Sequence, residues 1–376
     1  MRKVKLGDLV TVMNEREDNP SRSKYDRFVG LEHYDSGSIS ITRWGSTEML
    51  VSAMKVFHRG DILVARRNVY LKRASSVDFD GITSGDSIIL HVNDEQYKAI
   101  VPFVLNTDSF WDYADQHSDG SMSKRLAPKT MLEYEFTLPD DEEVERLSTL
   151  LWAMERTKTA YKNLIAKTDE LVKSQFVEMF GDKQSGFKYP CSKVQELTDV
   201  CSGGTPDRNN AEYWEGGTVP WVKTTELQNN VINTVDEYIT EKGLADSSAK
   251  LVPAGTILIA MYGQGKTRGM TAYLGIEAST NQACACILPT EKINMVFMWQ
   301  YFVNSYNELR NLAKGSNQAN LNAGMIKSFP VPVPPIELQK QYSAFVEHAD
   351  KSKFAAQQAL ADLTATQKAL MRQYLG

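Results

Sequence analysis

The 376-residue chain is written twice. Arg59-Gly60-Asp61-Ile62-Leu63-Val64-Ala65 returns as Ala254-Gly255-Thr256-Ile257-Leu258-Ile259-Ala260, 195 positions later. Gly120-Ser121 with Leu126 returns as Gly315-Ser316 with Leu321, Leu138-Pro139 as Val333-Pro334, and Phe180-Gly181 as Leu375-Gly376, all at the same offset. Near the start the offset is 188 (Lys5 and Leu9 against Lys193 and Leu197), so about seven residues were gained or lost in an early loop. Four matches in one order and one register make a duplication, which outranks any local reading. A chain of this length is expected to hold two domains, and the repeat places them: a first domain over 1–138, a long helix over 139–184, a second domain over 185–335 and a second long helix over 336–376.

Each copy has one anatomy. Short β-branched and aromatic runs separated by Gly, Asn, Asp and Pro read as strands and turns, clearest at Ile39–Thr42, Asp61–Val64, Ser87–Leu90, Thr256–Ile259 and Ala283–Leu288. A proline-marked exit follows (Leu138-Pro139; Phe329-Pro330-Val331-Pro332-Val333-Pro334-Pro335), where helix is sterically disfavoured. Then comes one long helix, with Asp140, Asp141, Glu142 and Glu143, or Glu337, at its positive end. The fold class is therefore α/β (α+β), with a pseudo-two-fold internal repeat.

The helices carry a heptad. Val144, Leu151, Ile165 and Val172 interleave with Leu147, Met154 and Tyr161 in the first. Val346, Leu360, Leu363 and Leu370 continue the pattern in the second, with Tyr342, Ala349, Ala356 and Tyr374. The polar interruption is duplicated as Lys158 and Lys353, and a lone polar residue in such a seam fixes register. At about 1.5 Å per residue each helix runs roughly 60 Å, too long for one small domain to cover. An antiparallel coiled coil is the expectation, against the plainer reading of two amphipathic helices lying each on its own domain.

Composition narrows the function. Hydrophobic residues at 42% and charged residues at 24% exclude a disordered chain. No apolar run approaches the roughly 18 residues of a membrane span, and the start shows no signal-peptide core. The four cysteines (Cys191, Cys201, Cys284, Cys286) are too few for a disulfide scaffold and point to a reducing cytoplasm. The net charge of −5 excludes a chain coated in nucleic-acid-binding charge, so any such surface has to be local.

One such place follows the matched strand in both copies. In the first it is Arg66-Arg67-Asn68-Val69-Tyr70-Leu71-Lys72-Arg73. Arg pairs bidentately with guanine and Asn with adenine, and Lys and Arg neutralise phosphates. In the second it is Tyr262-Gly263-Gln264-Gly265-Lys266-Thr267-Arg268. Gly265-Lys266-Thr267 also raises a phosphate-binding loop, but Ala260 replaces the first glycine, Gly269 and Gly275 spoil the helix required next, and no acidic magnesium ligand follows. A solvated hairpin is the plainer reading of both. A second recurring cluster, Gly120–Arg125 with Lys124 and Arg125 against Gly315–Asn320 with Asn317 and Asn320, fits sugar-phosphate contact and simple capping equally. Cys284-x-Cys286 lacks the partners of a metal site. The five histidines are dispersed, and no methyltransferase, helicase or nuclease signature is present. The chain reads as catalytically empty.

The second copy resembles the target-recognition domain of type I restriction–modification specificity subunits. The resemblance is carried by Gly203-Gly204-Thr205-Pro206, Tyr213-Trp214, Gly216–Val222, Ile239–Leu244, Ser247–Thr256, Thr280-Asn281-Gln282 and the tail from Gly315 through Pro335, Glu337, Gln339 and Gln341. The first copy is similar more loosely, through Gly60–Leu63, Arg66-Arg67-Asn68, Asp80-Gly81 and Ser84-Gly85-Asp86. The resemblance implies two domains that each read one half of a bipartite duplex DNA site. It implies helices that set the spacing and dock two modification subunits, and two restriction subunits beyond those. S-adenosylmethionine, ATP and magnesium would sit on these partners, with no cofactor and no metal on this chain and no membrane. The DNA-facing residues expected are Arg66, Arg67, Asn68, Tyr70, Lys72, Arg73, Lys124 and Arg125 in the first domain and Gln264, Lys266, Thr267, Arg268, Asn317 and Asn320 in the second. A nucleotide-dependent enzyme around Lys266 and a protein-binding scaffold are the alternatives.

Overall fold

A computed structural model describes residues 2–120, 124–263, 265–313 and 320–376. The chain divides into two units: Met1–Ile165 with Ala355–Gly376, and Ala166–Phe354.

In the first unit a four-stranded antiparallel sheet runs Val10–Met13, Ser87–Val92, Ile62–Ala65, Ala74–Ser76. The strand Ile62–Ala65 is buried throughout because its two faces serve different cores. Ile62 and Val64 pack with Ile88, Leu90, Phe103 and Phe110, whereas Leu63 and Ala65 pack with Ile89, Val29 and Phe57. Successive side chains of a strand point to opposite faces, so a strand between two cores needs an unbroken apolar run. A second sheet, Arg16–Glu17, Met54–Phe57, Gly81–Thr83, Arg27–Val29, Gly45–Ser46, closes the other side, its Arg27–Val29 and Gly81–Thr83 strands parallel. Helices Val101–Val104, Asp108–Gln116 and Pro128–Leu132 cover the first core.

The second unit repeats this plan. Its sheet runs Val200–Ser202, Cys284–Ile287, Ile257–Ala260, Thr271–Leu274, Asn230–Ile232. Ile257 and Ile259 face one core while Leu258 and Ala260 face another. Val219–Val222 and Ser279–Thr280 form the corresponding parallel pair. The central strand, the helix Pro128–Leu132 against Ala323–Lys327, and the long helices Asp141–Phe180 and Ile336–Leu375 are each displaced by 195 positions. The helix Leu6–Leu9 against Val194–Leu197 is displaced by 188, as the sequence offsets require. Ile39–Thr42 is the exception among the expected strands. It forms only a parallel bridge, Ser76 N–H to Ile39 O at 2.8 Å and Ile41 N–H to Ser76 O at 3.0 Å. Ser38 and Ser40 are tied to one another instead of extending a ladder. Its counterpart Asn230–Ile232 pairs fully.

Within each unit the long helices lie antiparallel. In the first, Val144, Leu147, Leu151 and Met154 are buried with Met371 and Leu375, with Leu363 and Leu370 half-buried against them. The interrupting Lys158 is 7% exposed and donates to Glu155 at 2.9 Å and across the seam to Gln367 at 2.8 Å. In the second, Tyr342 donates to the carbonyl of Val172 at 3.1 Å, Phe176 stacks edge-on to Tyr342, and Val346 is buried. Lys353 pairs with Asp169 at 2.6 Å. Tyr161, Ile165 and Leu360 of the heptad are half-buried. Among the described residues no helix is long and apolar enough to cross a membrane.

Candidate nucleic-acid interface

The segment after Ile62–Ala65 turns through a short 3₁₀ helix, Val69–Leu71, into Ala74–Ser76. Asn68 and Lys72 flank that turn in the left-handed conformation, at φ 53° and 48°. Asn adopts this readily. Lys72 is held there by its N–H to Val69 O and by its ammonium, 2.8 Å from Asp108. Val69 is buried as the anchor, which turns Tyr70 outward, 66% exposed. The second cluster lies alongside. Asn68 N–H donates to Lys124 O at 3.0 Å and Leu126 N–H to Arg66 O at 2.9 Å. The two stretches separated in sequence are therefore one surface carrying Arg66, Arg67, Asn68, Tyr70, Lys124 and Arg125. Lys124 is tied to Asp115 at 2.7 Å.

Arg73 does not belong to that surface. It is 9% exposed and donates to the carbonyls of Leu31 at 3.1 Å and Arg67 at 3.0 Å, and burial lowers its pKa. Its charge satisfies main-chain acceptors that would otherwise be buried unpaired.

In the second unit the corresponding loop joins Ile257–Ala260 to Thr271–Leu274. It closes through Gly269 N–H to Ala260 O and Met270 N–H to Thr267 O, both 2.9 Å. Gly263, Gly265 and Gly269 take φ of 135°, 61° and 86°, which glycine alone adopts freely. The strand is thus followed by a hairpin into its antiparallel neighbour, and among the described residues no helix begins in the loop. The nucleotide-binding alternative around Lys266 is not supported. Lys266 is exposed and Thr267 and Arg268 half-buried. Two residues not marked by the sequence hold the loop. Tyr306 donates to Lys266 O at 2.7 Å and Arg310 to Arg268 O at 2.8 Å. Gln264 and Asn317 lie outside the described residues. Asn320 is exposed and precedes Leu321, whose N–H donates to Met261 O at 3.0 Å, the counterpart of Leu126 to Arg66.

The motif glycines have a packing reason. A Cβ on Gly204 would stand 2.3 Å from the carbonyl carbon of Ser248, and one on Gly203 2.1 Å from Thr280 Oγ1. Trp221 donates to Gly204 O at 3.0 Å and meets Trp214 edge-on. Arg208 lies over both rings, 3.8 and 4.6 Å from their centroids, and pairs with Glu237 at 2.5 Å. Arg27 lies likewise over Trp44 and Phe79, 4.6 and 4.8 Å from their centroids, in the first unit. Such stacking fixes a cation beside a loop, and spacing alone did not reveal either cluster. Cys201 stands directly opposite Cys286 on the adjoining strand. Among the described residues no group of three or more His, Cys, Asp or Glu side chains is arranged to hold a metal.

With this geometry in place, the chain can be set beside known proteins. Residues 191–363 match the type I restriction modification DNA specificity domain family. The EcoR124I/EcoR124II specificity subunit of Escherichia coli is 25% identical over 285 residues, covering 73% of this chain and 69% of that protein. The MjaIX specificity subunit of Methanocaldococcus jannaschii is 27% identical over 166 residues, 42% of this chain and 37% of the relative. Two solved structures share the fold over nearly the whole length. One is the type I specificity subunit from M. genitalium, at TM-score 0.63 and 14% identity over 100% of this chain and 96% of that one. The other is a chain from a type I restriction–modification system, at TM-score 0.57 and 18% identity over 99% and 97%. Residues 191–363 thus match the type I restriction modification DNA specificity domain, and the chain as a whole shares its fold with a type I specificity subunit and is similar in sequence to others.

Proposed function

We propose that this chain is the sequence-specific duplex-DNA recognition subunit of a type I restriction–modification complex and performs no chemistry itself. Each unit reads one half of a bipartite site through the hairpin that leaves its central strand. The observation that carries this reading is the recurrence of that hairpin. Two unlike loops, both cationic in an acidic chain, leave the same strand and are held by the same main-chain bond, Leu126 to Arg66 and Leu321 to Met261. A duplicated frame with divergent loops suits a reader of two different half-sites, because base identity is read by side chains whereas phosphates are not specific.

The long helices are assigned the spacing of the half-sites and the docking of two modification subunits, with two restriction subunits joining the same assembly. S-adenosylmethionine, ATP and magnesium act on those partners. The test is to map methylated adenines genome-wide in a host carrying this chain with its modification subunits. Binding of the purified complex to the mapped duplex is then measured across salt concentrations. A bipartite methylation pattern with salt-sensitive, sequence-selective binding is the expected result. Methylation unchanged when the chain is deleted would overturn the proposal, and tight ATP binding by the chain alone would revive an enzymatic reading.

A further inference from the structure

Two arginines of the first unit's loop surface, Arg67 and Arg125, meet on one carboxylate. Asp86 stands in the connection between Gly81–Thr83 and Ser87–Val92. Its Oδ1 lies 3.0 Å from Nε of Arg67 and 3.7 Å from Nη2 of Arg125, and its main-chain oxygen accepts the N–H of Arg66 at 2.9 Å. On the adjoining sheet Lys55 stands directly opposite Arg16, and its ammonium donates to the carbonyl of Ser87, next in sequence to Asp86, at 2.9 Å. Like charges directly opposite one another destabilise a strand pair. Burial, with Arg66 and Arg16 close by, pushes the Lys55 ammonium below its usual range. Arg66 and Arg67 each carry a buried Nε that makes no hydrogen bond among the described residues, so Asp86 meets Arg67 as an ion pair and not as a hydrogen-bond acceptor. Asp86 is, among the described residues, the one carboxylate that ion-pairs with any of these five cations. The second unit has no such clamp: Met261, the counterpart of Arg66, gives its N–H to Ala283 O at 2.8 Å, so an alanine stands where Asp86 does.

We propose that Asp86 is a positioning residue that aims Arg67 and Arg125 at base edges of the first half-site, while Lys55 and Arg16 hold the adjacent phosphates. The proposal rests on the DNA-reading role argued above and adds a division of labour to it. A guanidinium drawn to a carboxylate on its Nε side keeps its two terminal nitrogens for the paired acceptors of guanine. The same carboxylate repels phosphate, so Asp86 lowers affinity for any duplex while sharpening the choice among duplexes. Lys55 and Arg16 come from a neighbouring sheet and, among the described residues, form no ion pair with a carboxylate, which leaves an anion as the partner that completes the cluster.

The two roles give opposite signatures in the complex with modification subunits. Binding is measured by fluorescence anisotropy on the mapped duplex, on one altered in the first half-site and on an unrelated duplex, between about 50 and 200 mM salt. Asp86→Asn is expected to tighten binding to the unrelated duplex and to reduce discrimination against the altered half-site by about tenfold. Lys55→Gln, which keeps a donor for Ser87, is expected to weaken all three duplexes alike and to make the salt slope shallower by about 0.9, with a melting temperature no lower than that of the parent protein. Parallel loss on every duplex for Asp86→Asn, or an unchanged salt slope for Lys55→Gln, overturns the proposal while the DNA-reading role stands. A parent complex that prefers none of the three duplexes removes that role and this proposal with it.

Discussion

Arg67 and Arg73 lie six positions apart and carry the same side chain, yet the fold gives them different surroundings. Arg67 is partly exposed beside Asp86, whereas Arg73 is spent on two carbonyls inside the domain. Replacing Arg67 by Ala should therefore damage recognition of the first half-site alone, at a cost of about 1–3 kcal/mol if the contact is a bidentate base pairing. The measurement is binding to duplexes altered in one half or the other, and equal losses on both would make Arg67 a phosphate contact. The loops themselves were legible in the sequence, because four cations in eight residues of an acidic chain call for a reason. Tyr306 and Arg310 were not, because each reaches its loop from a distant helix and carries no local signal, and Asp86, though part of a recognisable Ser84-Gly85-Asp86 motif, gave no sign of its pairing with Arg67. Residue type announced the surface but could not separate Arg73 from its neighbours, since only the fold decides which carbonyls lack partners.

Among the elements, the long helices were the most readable, because a heptad states which side chains must meet. What it left open was how the seam tolerates a lysine. Lys158 answers that with Glu155 and Gln367, all three buried. Lys158→Ala strands a buried carboxylate and should destabilise by about 3–5 kcal/mol in thermal unfolding. Replacing Lys158, Glu155 and Gln367 together by Met, Leu and Leu should be neutral or stabilising. If the triple replacement is as damaging as the single one, the network contributes stability rather than register. The helix Asp108–Gln116 supplies a second test. Lys72 and Lys368 hold the Asp108 carboxyl below its usual range. The carboxylate thus stabilises the fold above about pH 4, the unfolded value, and that contribution is lost as pH falls through the lower folded value. Asp108→Asn should lower the melting temperature near neutrality, and the two melting curves should converge in strong acid. A difference independent of pH would mean that the lysines do not draw on the charge. Strand Ile39–Thr42 was overread for an opposite reason: alternating isoleucines mark buried positions, and both are buried, but burial needs no ladder when one bridge suffices.

For the whole molecule, the duplication was legible before any element was, and the displacement of 195 recurs in the central strands, the short exit helices and the long helices. Spacing of the half-sites is the property that belongs at this scale. Inserting one turn, about four residues or ~6 Å, after Thr168 and another after Asp350 to preserve pairing should lengthen the preferred gap by roughly two base pairs at ~3.4 Å each. The lengthened protein is assayed by methylation mapping, and selection of the original gap would show that the helices do not measure it. The main-chain bonds that pin each hairpin, Leu126 to Arg66 and Leu321 to Met261, involve no side chain of the loops they secure. Such a mount is indifferent to the letters printed on it. On the proposed reading, a lineage that rewrites the exposed positions of either hairpin acquires a new target, while the unaltered twin preserves half of the old address.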